Sequence, residues 1–270
     1  MSSAEDVRYG ERPQPAPAVS GPSAATDPQP ARRAVAHPLD GVTIVLPCFD
    51  EAANVAAAIK GATWEAQRIS LAYEVVVVDD GSSDETAAIA GWWAARDPHV
   101  RIVRHARNRG YGAAVRSGID AARMPWIFLT DADLQFDLAE LDAFVPLATE
   151  AELVIGWRLA RHDPLVRKAN AAAWNWLVAR ALDLHVRDVD CAFKLMRTDA
   201  VAPLRLTSEG ATISAELLVK AFANGARVRQ LGVHHRPRLA GRQSGARLPV
   251  IARALCELIA LRRARQTVIG

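Results

Sequence analysis

Three short runs of this chain are apolar on successive residues rather than on alternate ones: VTIVL (Val42–Leu46), YEVVVV (Tyr73–Val78) and WIFLT (Trp126–Thr130). A strand with one wet face alternates apolar and polar residues. A strand buried on both faces does not, and such strands build parallel sheets covered by helices on each side. Each run stops at turn or acidic residues: Pro47, then Asp79-Asp80-Gly81, then Asp131. Helical spacing fills the gaps, at Glu51–Lys60, at Ser83–Arg96 with Ser83 as N-cap, and at Gly112–Ala122 after a glycine-rich turn. Val100–Arg104 adds a strand, Leu138–Thr149 a helix and Glu152–Ile155 a strand. The alternation predicts an α/β fold, a mostly parallel central sheet flanked by helices. The second half is less regular. It reads as a helix at Arg167–Leu184 carrying Trp174 and Trp176, a strand at Phe193–Arg197, a helix at Ser214–Ala223, a strand at Arg227–His234 and a helix at Pro249–Arg265.

A length of 270 residues suits one large domain with a core that needs no disulfide staple. The three cysteines, Cys48, Cys191 and Cys256, are isolated, which argues against a disulfide framework or a structural zinc site and fits a reducing, cytoplasmic setting. No run of 18 apolar residues predicts a membrane-spanning helix. Residues 1–38 are rich in Pro, Ala, Ser and Gln, and no apolar h-region marks a signal peptide. They read as a disordered tail, with order expected from Leu39. The net charge of +3 is unevenly spread: from Arg227 onward ten Arg face one acid, Glu257. Such an end invites an anionic partner, a phosphate or an acidic membrane face. A nucleic-acid binder is disfavoured, because the basic end lacks interleaved aromatics and any recognisable binding module.

In parallel sheets ligands bind beyond the carboxyl ends of the strands. Three acidic clusters are predicted at those ends: Phe49-Asp50-Glu51, Asp79-Asp80-Gly81-Ser82 and Asp131-Ala132-Asp133. Asp131 and Asp133, with the amide of Gln135, suit a hard cation such as Mg2+ or Mn2+ that keeps sites for substrate phosphates. A solvated loop is the plainer reading of the same residues. Asp79 and Asp80 are placed to accept hydrogen bonds from a base N–H or ribose hydroxyls, although a capped βα turn has the same residues. Gly110, in Asn108-Arg109-Gly110-Tyr111-Gly112 before a helix, permits a close approach to a nucleotide.

The segments LPCFDEAANV, VVVVDDGSSDET, NRGYGAAVRSGI and TDADLQFD resemble, in order and spacing, the motifs of family 2 glycosyltransferases with the GT-A fold. The likeness is closest to the dolichol-phosphate mannose synthase and polyprenyl-phosphate glycosyltransferase branch, and it spans roughly Val42–Ile259. It implies a GT-A domain over 39–248 followed by a basic amphipathic helix over 249–270. It also implies a nucleotide-sugar donor, GDP-mannose or UDP-glucose, held by Glu51 and Asp79 with Pro47 shaping the pocket. Asp131, Asp133 and Gln135 would hold Mg2+ or Mn2+ on the donor diphosphate. Asp50 stands where the family usually has Asn, so base or ribose contacts are expected to differ.

In the polyprenyl branch an Arg after the fifth strand and a late Arg-x-x-Gly-x-Ser stretch gather round an acceptor phosphate. Arg158, Arg238 and Ser244 resemble those positions, with Arg242 beside them. The implied activity is inverting hexosyl transfer to a polyprenyl phosphate, at the inner face of the membrane. The same chemistry on a saccharide or small-molecule hydroxyl, or nucleotide binding without turnover, stays open. For a hydroxyl acceptor Asp190 is the candidate base. For a lipid phosphate no strong base is needed, and Asp188 and Asp190 would orient the Arg cluster, unless they only cap a turn before Phe193. Glu216 resembles a family Glu that faces the active site, though a surface position is an equal reading. His234-His235 reads as a late metal ligand or, more simply, as a strand end with one ring inward and one outward. The last helix collects Ile251, Leu255, Leu258 and Ile259 on one face, for a membrane or for its own domain.

Overall fold

The computed structural model describes residues 38–159, 165–238 and 254–262, with 165–172 as backbone alone. The predicted tail, but for Pro38, and Arg161, Arg242, Ser244 and Arg247 lie outside the described residues. At Leu39 the chain is already tied down: its N–H donates to Ile69 O, and its own carbonyl accepts from Leu71 N.

Seven strands form one sheet: β1 (Val42–Cys48), β2 (Tyr73–Asp79), β3 (Val100–Arg104), β4 (Trp126–Thr130), β5 (Leu153–Leu159), β6 (Phe193–Arg197) and β7 (Val228–His234). Their order is β3-β2-β1-β4-β6-β5-β7. All run parallel except β6, which is antiparallel to both β4 and β5. The helices are α1 (Val55–Ile69), α2 (Thr86–Ala94), α3 (Tyr111–Ala121), α4 (Leu141–Phe144), α5 (Leu165–Leu182), α6 (Thr198–Val201) and α7 (Ile213–Ala223), and a further helix covers 254–262.

The successive apolar residues do divide between two faces. Ile44, Leu46, Val75, Val77 and Phe128 join the core under α1 and α4, while Val45, Val76, Val78, Ile127 and Leu129 join the core under α3 and α7. Burial on both faces is why these strands show no period of two.

Several boundaries differ from those predicted. α1 begins at Val55 rather than Glu51, because residues 51–54 form a turn in which Glu51 O accepts from Asn54 N and Val55 N. Ser83 is not the cap of α2: Asp84 Oδ1 accepts from Thr86 N at 3.0 Å, and Ser83 N donates instead to Asp50 Oδ1 at 2.8 Å. The helix expected over 138–149 is broken into two 3-10 turns around α4, with Pro146 at the start of the second.

Strand order reverses at β1, whose neighbours are β2 and β4, and it is at the carboxyl ends beside such a switch point that α/β sheets form their ligand crevice. Because β6 runs the other way, its first residue pairs with the last residue of β4 (Phe193 with Thr130), so the segment before β6 arrives at the same edge. The segment after β7 arrives there too, through a bridge between Phe136 and His235.

The helix at 254–262 docks on the domain. Ala254 and Leu258 are buried, Thr212 Oγ1 donates to Ala254 O, and Glu257 Oε1 accepts from Glu209 N and Gly210 N. This corrects the expected single apolar face. Leu255 and Ile259 sit about 100° round from the inward row and are exposed.

Candidate active site

Two loops at the crevice are laced together. The β1–α1 loop turns at Asp50, whose φ of 54° is left-handed. Asp50 N donates to Ser82 Oγ, Glu51 N to Thr86 Oγ1 at 2.8 Å, and Ala52 N to Asp84 Oδ2 at 3.0 Å. Asp50 Oδ1 accepts from both Ser83 N and Ser83 Oγ. Where the resembled motif usually has Asn, Asp50 is thus a carboxylate that binds the neighbouring loop. Gly81, with φ of 71°, passes so near Arg107 that a Cβ would lie 2.4 Å from its carbonyl carbon. A site held this way needs little reorganisation to bind a ligand.

Asp79 and Asp80 face different tasks. Asp79 is wholly buried; its Oδ1 accepts from Ser82 N at 3.1 Å, and its Oδ2 lies 3.3 Å from Arg104 Nε. Asp80 is committed to the third loop. Its Oδ1 accepts from Arg109 N and contacts His105 Nδ1 at 2.6 Å, and its Oδ2 accepts from Gly110 N at 2.8 Å. His105 Nε2 in turn meets Ser117 Oγ. Asp80 and Gly110, both expected at the nucleotide, are therefore engaged with each other, and Asp80 shapes the turn that starts α3.

That turn leads to the carboxylate pair. Tyr111, the first residue of α3, is half-buried and hydrogen-bonds Asp131. Burial and the neighbouring Asp133 push Asp131 up to about 7, against the pull of the Tyr111 hydroxyl, Lys194 and Arg158. Asp133 is also raised, by burial first. Its Oδ1 accepts from Gln135 N, across Leu134 with φ of 61°. Gln135 Nε2 donates to Arg236 O at 2.9 Å, and Arg236 N to Gln135 O at 2.7 Å, so this loop and the segment after β7 are joined. Arg238 then turns back into the crevice. One guanidinium nitrogen pairs with Glu51 Oε1 and another lies 3.7 Å from Asp133 Oδ2. Expected at an acceptor phosphate, Arg238 stands between Glu51 and the Asp-x-Asp loop.

Arg158, near the end of β5, forks onto Asp188, with Nε 2.6 Å from Oδ2 and NH2 2.7 Å from Oδ1. Lys194 is buried in β6 and donates from Nζ to Val189 O at 3.1 Å and to Cys191 O. Burial lowers its pKa, while Cys191, Asp190 and Asp188 pull it back. One ammonium thus fixes the backbone around Asp190 and places positive charge near Asp131. Sequence reading passed over Lys194, Tyr111 and Arg104. A lysine inside the otherwise apolar run Phe193–Met196 was the available signal for the first.

Three other expectations meet the structure here. Glu216 neither faces the crevice nor the solvent: it is buried and accepts from Thr207 N, Ser208 N and Lys220 Nζ, which holds its pKa low despite burial. His234 points outward beside Glu140, and His235 rests edge-on against Phe136 at 5.1 Å, as the simpler reading expected. A cavity of about 330 Å3 opens beside them, between Asp137 and Arg236. Trp174 packs against the core, whereas Trp176 is exposed.

The loop held by Glu216 also supports α3. Gly112 N donates to Glu209 O at 2.8 Å, and a Cβ on Gly112 would lie 2.5 Å from Ser208 O. Gly112→Ala is expected to cost about 2 kcal/mol, a fall of roughly 4–8 °C in melting temperature for a domain of this size. An unchanged thermal melt would contradict the contact.

Asp131, Asp133 and Gln135 fit a hard cation. Loss of water first, and then a neighbouring carboxylate (Asp133 beside Asp131, Glu51 beside Asp133), pushes both pKa values up, the sign of a cluster short of positive charge, and the amide nitrogen of Gln135 is committed to Arg236 O, which leaves its oxygen for coordination. No group of three or more His, Cys, Asp and Glu suited to a metal forms among the described residues. Mg2+ held by one or two carboxylates and substrate phosphates needs none.

The sequence profile described as "Glycosyl transferase family 2" matches residues 43–204. Undecaprenyl-phosphate 4-deoxy-4-formamido-L-arabinose transferases of Yersinia pestis (strain Pestoides F) and Yersinia pseudotuberculosis (serotype O:3, strain YPIII) are each 32% identical to this chain over 205 residues, or 75% of it. The aligned region spans 62% of the length of those relatives. Among solved structures, glucosyl-3-phosphoglycerate synthase from Mycobacterium tuberculosis with UDP superposes with a TM-score of 0.63 at 20% identity, covering 84% of this chain and 80% of that one. The same synthase with Mn2+, UDP and phosphoglyceric acid gives 0.62 at 18%, covering 84% and 78%. At these identities the likeness shows a common fold.

Proposed function

This chain belongs to glycosyl transferase family 2 and has the GT-A fold, and we propose that it moves a hexose, mannose or glucose, from a nucleotide-sugar to a polyprenyl phosphate with inversion at the anomeric carbon. The observation that carries this reading is the Asp131–Asp133 pair at the crevice, with Glu51 and Asp79 on one side and Arg158, Lys194 and Arg238 around it. Asp131, Asp133 and Gln135 would hold Mg2+ or Mn2+, which when bound neutralises charge on the donor diphosphate. Glu51 and Asp79 orient the nucleoside, and the laced loops keep its pocket in shape before the donor arrives. Arg238 satisfies Glu51 and Asp133 in the meantime, so donor binding must redirect its guanidinium.

The acceptor assignment draws on the relatives, whose names specify undecaprenyl phosphate. A lipid phosphate is already an anion and needs no general base. Arg158, aligned by Asp188, would steer it by charge and by charge-assisted hydrogen bonds. An acceptor of this kind, the basic end of the chain and the exposed Leu255, Ile259 and Trp176 support peripheral attachment at the cytoplasmic face of a membrane. No helix among the described residues is long and apolar enough to cross one.

One observation favours the second reading, a hydroxyl acceptor. The Arg158 fork is already filled by Asp188, and Asp190 would then serve as base. A screen that pairs GDP-mannose and UDP-glucose with a short polyprenyl phosphate and with hydroxyl acceptors separates the two. Metal-dependent product on the polyprenyl phosphate is expected. Transfer confined to hydroxyl acceptors, or undiminished transfer in chelator, would overturn the proposal.

A further inference from the structure

A buried histidine, His105, bridges the end of β2 and the middle of α3. Its partner at β2 is Asp80, also buried, and its partner on α3 is the half-buried Ser117. Asp80 Oδ1 and Oδ2 each accept a backbone N–H, from Arg109 and from Gly110. A carboxylate so occupied is an acceptor, so the ring nitrogen 2.6 Å from Oδ1, His105 Nδ1, is the donor. Nε2 of the neutral ring then accepts from Ser117 Oγ at 2.9 Å. The backbone of His105 is fixed as well, its N–H donating to Asp79 O.

What this brace holds is the turn into α3. Gly110, with φ of 101°, is kept there by its N–H on Asp80, and the next residue, Tyr111, hydrogen-bonds Asp131. Without the donor from His105, Asp80 Oδ1 keeps only Arg109 N, and the carboxylate gains freedom to rotate. Gly110 has no Cβ to restrict the turn, so a loosened Asp80 is felt at Tyr111. Resting on the reading of Asp131 as a cation ligand, we propose that His105 is a positioning residue for the metal site: it fixes the Asp80 carboxylate, which sets the Gly110–Tyr111 turn, which aims Asp131. A group that hydrogen-bonds a metal ligand changes metal affinity by about 10–100-fold when it is lost. Tyr111 is that group here, and His105 acts through it.

The test compares two replacements that keep different halves of the ring. The amide nitrogen of asparagine lies as many bonds from the backbone as Nδ1, and that of glutamine as many as Nε2. His105→Asn therefore keeps a donor to Asp80 and gives up Ser117, and His105→Gln does the reverse. Mn2+ binding to the full chain is followed by the electron paramagnetic resonance of the free ion, alone, with UDP and with GDP, at a temperature where melting curves show each variant folded. His105→Gln should weaken Mn2+ binding about tenfold, and His105→Asn should hold it within about twofold of the natural chain. Tyr111→Phe should weaken it about tenfold or more, and adding His105→Gln to Tyr111→Phe should cost little further, because the two act on one path. Natural affinity in His105→Gln, or equal loss in His105→Gln and His105→Asn, overturns the positioning role. Additive losses in the double variant, or natural affinity in Tyr111→Phe, overturn the path to Asp131. Failure of the natural chain to bind Mn2+ under all three conditions overturns the metal-site reading itself, and the inference with it.

Discussion

Asp131→Asn is expected to silence metal-dependent transfer and, at the same time, to make the metal-free protein melt at a higher temperature at pH 8. The two effects share one cause. Burial and Asp133 hold Asp131 near 7 in the folded chain, well above an ordinary carboxyl. The folded state therefore binds this proton more tightly than the unfolded state does. Stability then falls as pH rises from about 4 to about 7, because the folded carboxyl must ionise beside another carboxylate in a buried place. At about 1.4 kcal/mol for each unit, the penalty at pH 8 is on the order of a few kcal/mol. Asparagine has nearly the same shape and cannot ionise, so it removes the penalty but also an anionic donor to the cation. Transfer should drop by about 100-fold or more, the scale seen when one group that stabilises developing charge is lost. Thermal melts in chelator at pH 5 and pH 8, beside a transfer assay with Mg2+ or Mn2+, check both parts. Retained turnover, or a gain in stability as large at pH 5 as at pH 8, would count against this account. Asp133→Ala should abolish transfer as well.

Arg158→Ala should unfold the protein more readily than loss of a surface arginine would. Its side chain is 15% exposed and that of Asp188 is 8% exposed, and the two meet through a bidentate fork. Removing the guanidinium takes its bidentate partner from a buried carboxylate, a loss of about 3–5 kcal/mol when such a pair is broken on one side. Asp188→Asn should cost less, since a neutral amide still accepts from the guanidinium, and Arg158→Ala with Asp188→Ala should recover part of the single loss. Urea denaturation of the natural protein, Arg158→Ala, Asp188→Ala and the double variant measures that coupling. On activity, Arg158→Ala is expected to reduce transfer to a polyprenyl phosphate roughly 10–150-fold, while slow hydrolysis of the nucleotide-sugar by water changes little. Equal loss of both reactions would assign Arg158 to the donor. Little effect on either, with transfer stopped by Asp190→Asn, would point to a hydroxyl acceptor.

Local pattern was enough for the first half of the fold. Val42–Leu46, Tyr73–Val78 and Trp126–Thr130 are strands as their composition predicts, because a β-branched run buried on both faces has few other places to go. The acidic strand ends followed from the same pattern, since a parallel sheet brings all its carboxyl ends to one edge. Glu51, Asp79, Asp131 and Asp133 were legible for that reason. Helix ends were less so. Ser83 has the chemistry of a cap, but Asp84 accepts from the first N–H of α2 once the loop after β1 claims Ser83.

What the sequence by itself determined is the set of strands, their burial and the acidic edge, because each depends on residues near one another in the chain. Tertiary structure alone decided who meets whom at that edge. The insertion of β6 between β4 and β5, against the direction of both, is what carries Asp188, Asp190 and Lys194 to the end of β4. Asp80 was indistinguishable from Asp79 in the sequence. They part because successive residues at a strand end point to opposite sides, one toward Arg104 and one toward the amides of Arg109 and Gly110. Arg238 reaches Glu51 across 187 positions, a pairing set by the bridge of Gln135 to Arg236. No local period records such a contact, because its energy is realised only after the sheet has closed the distance.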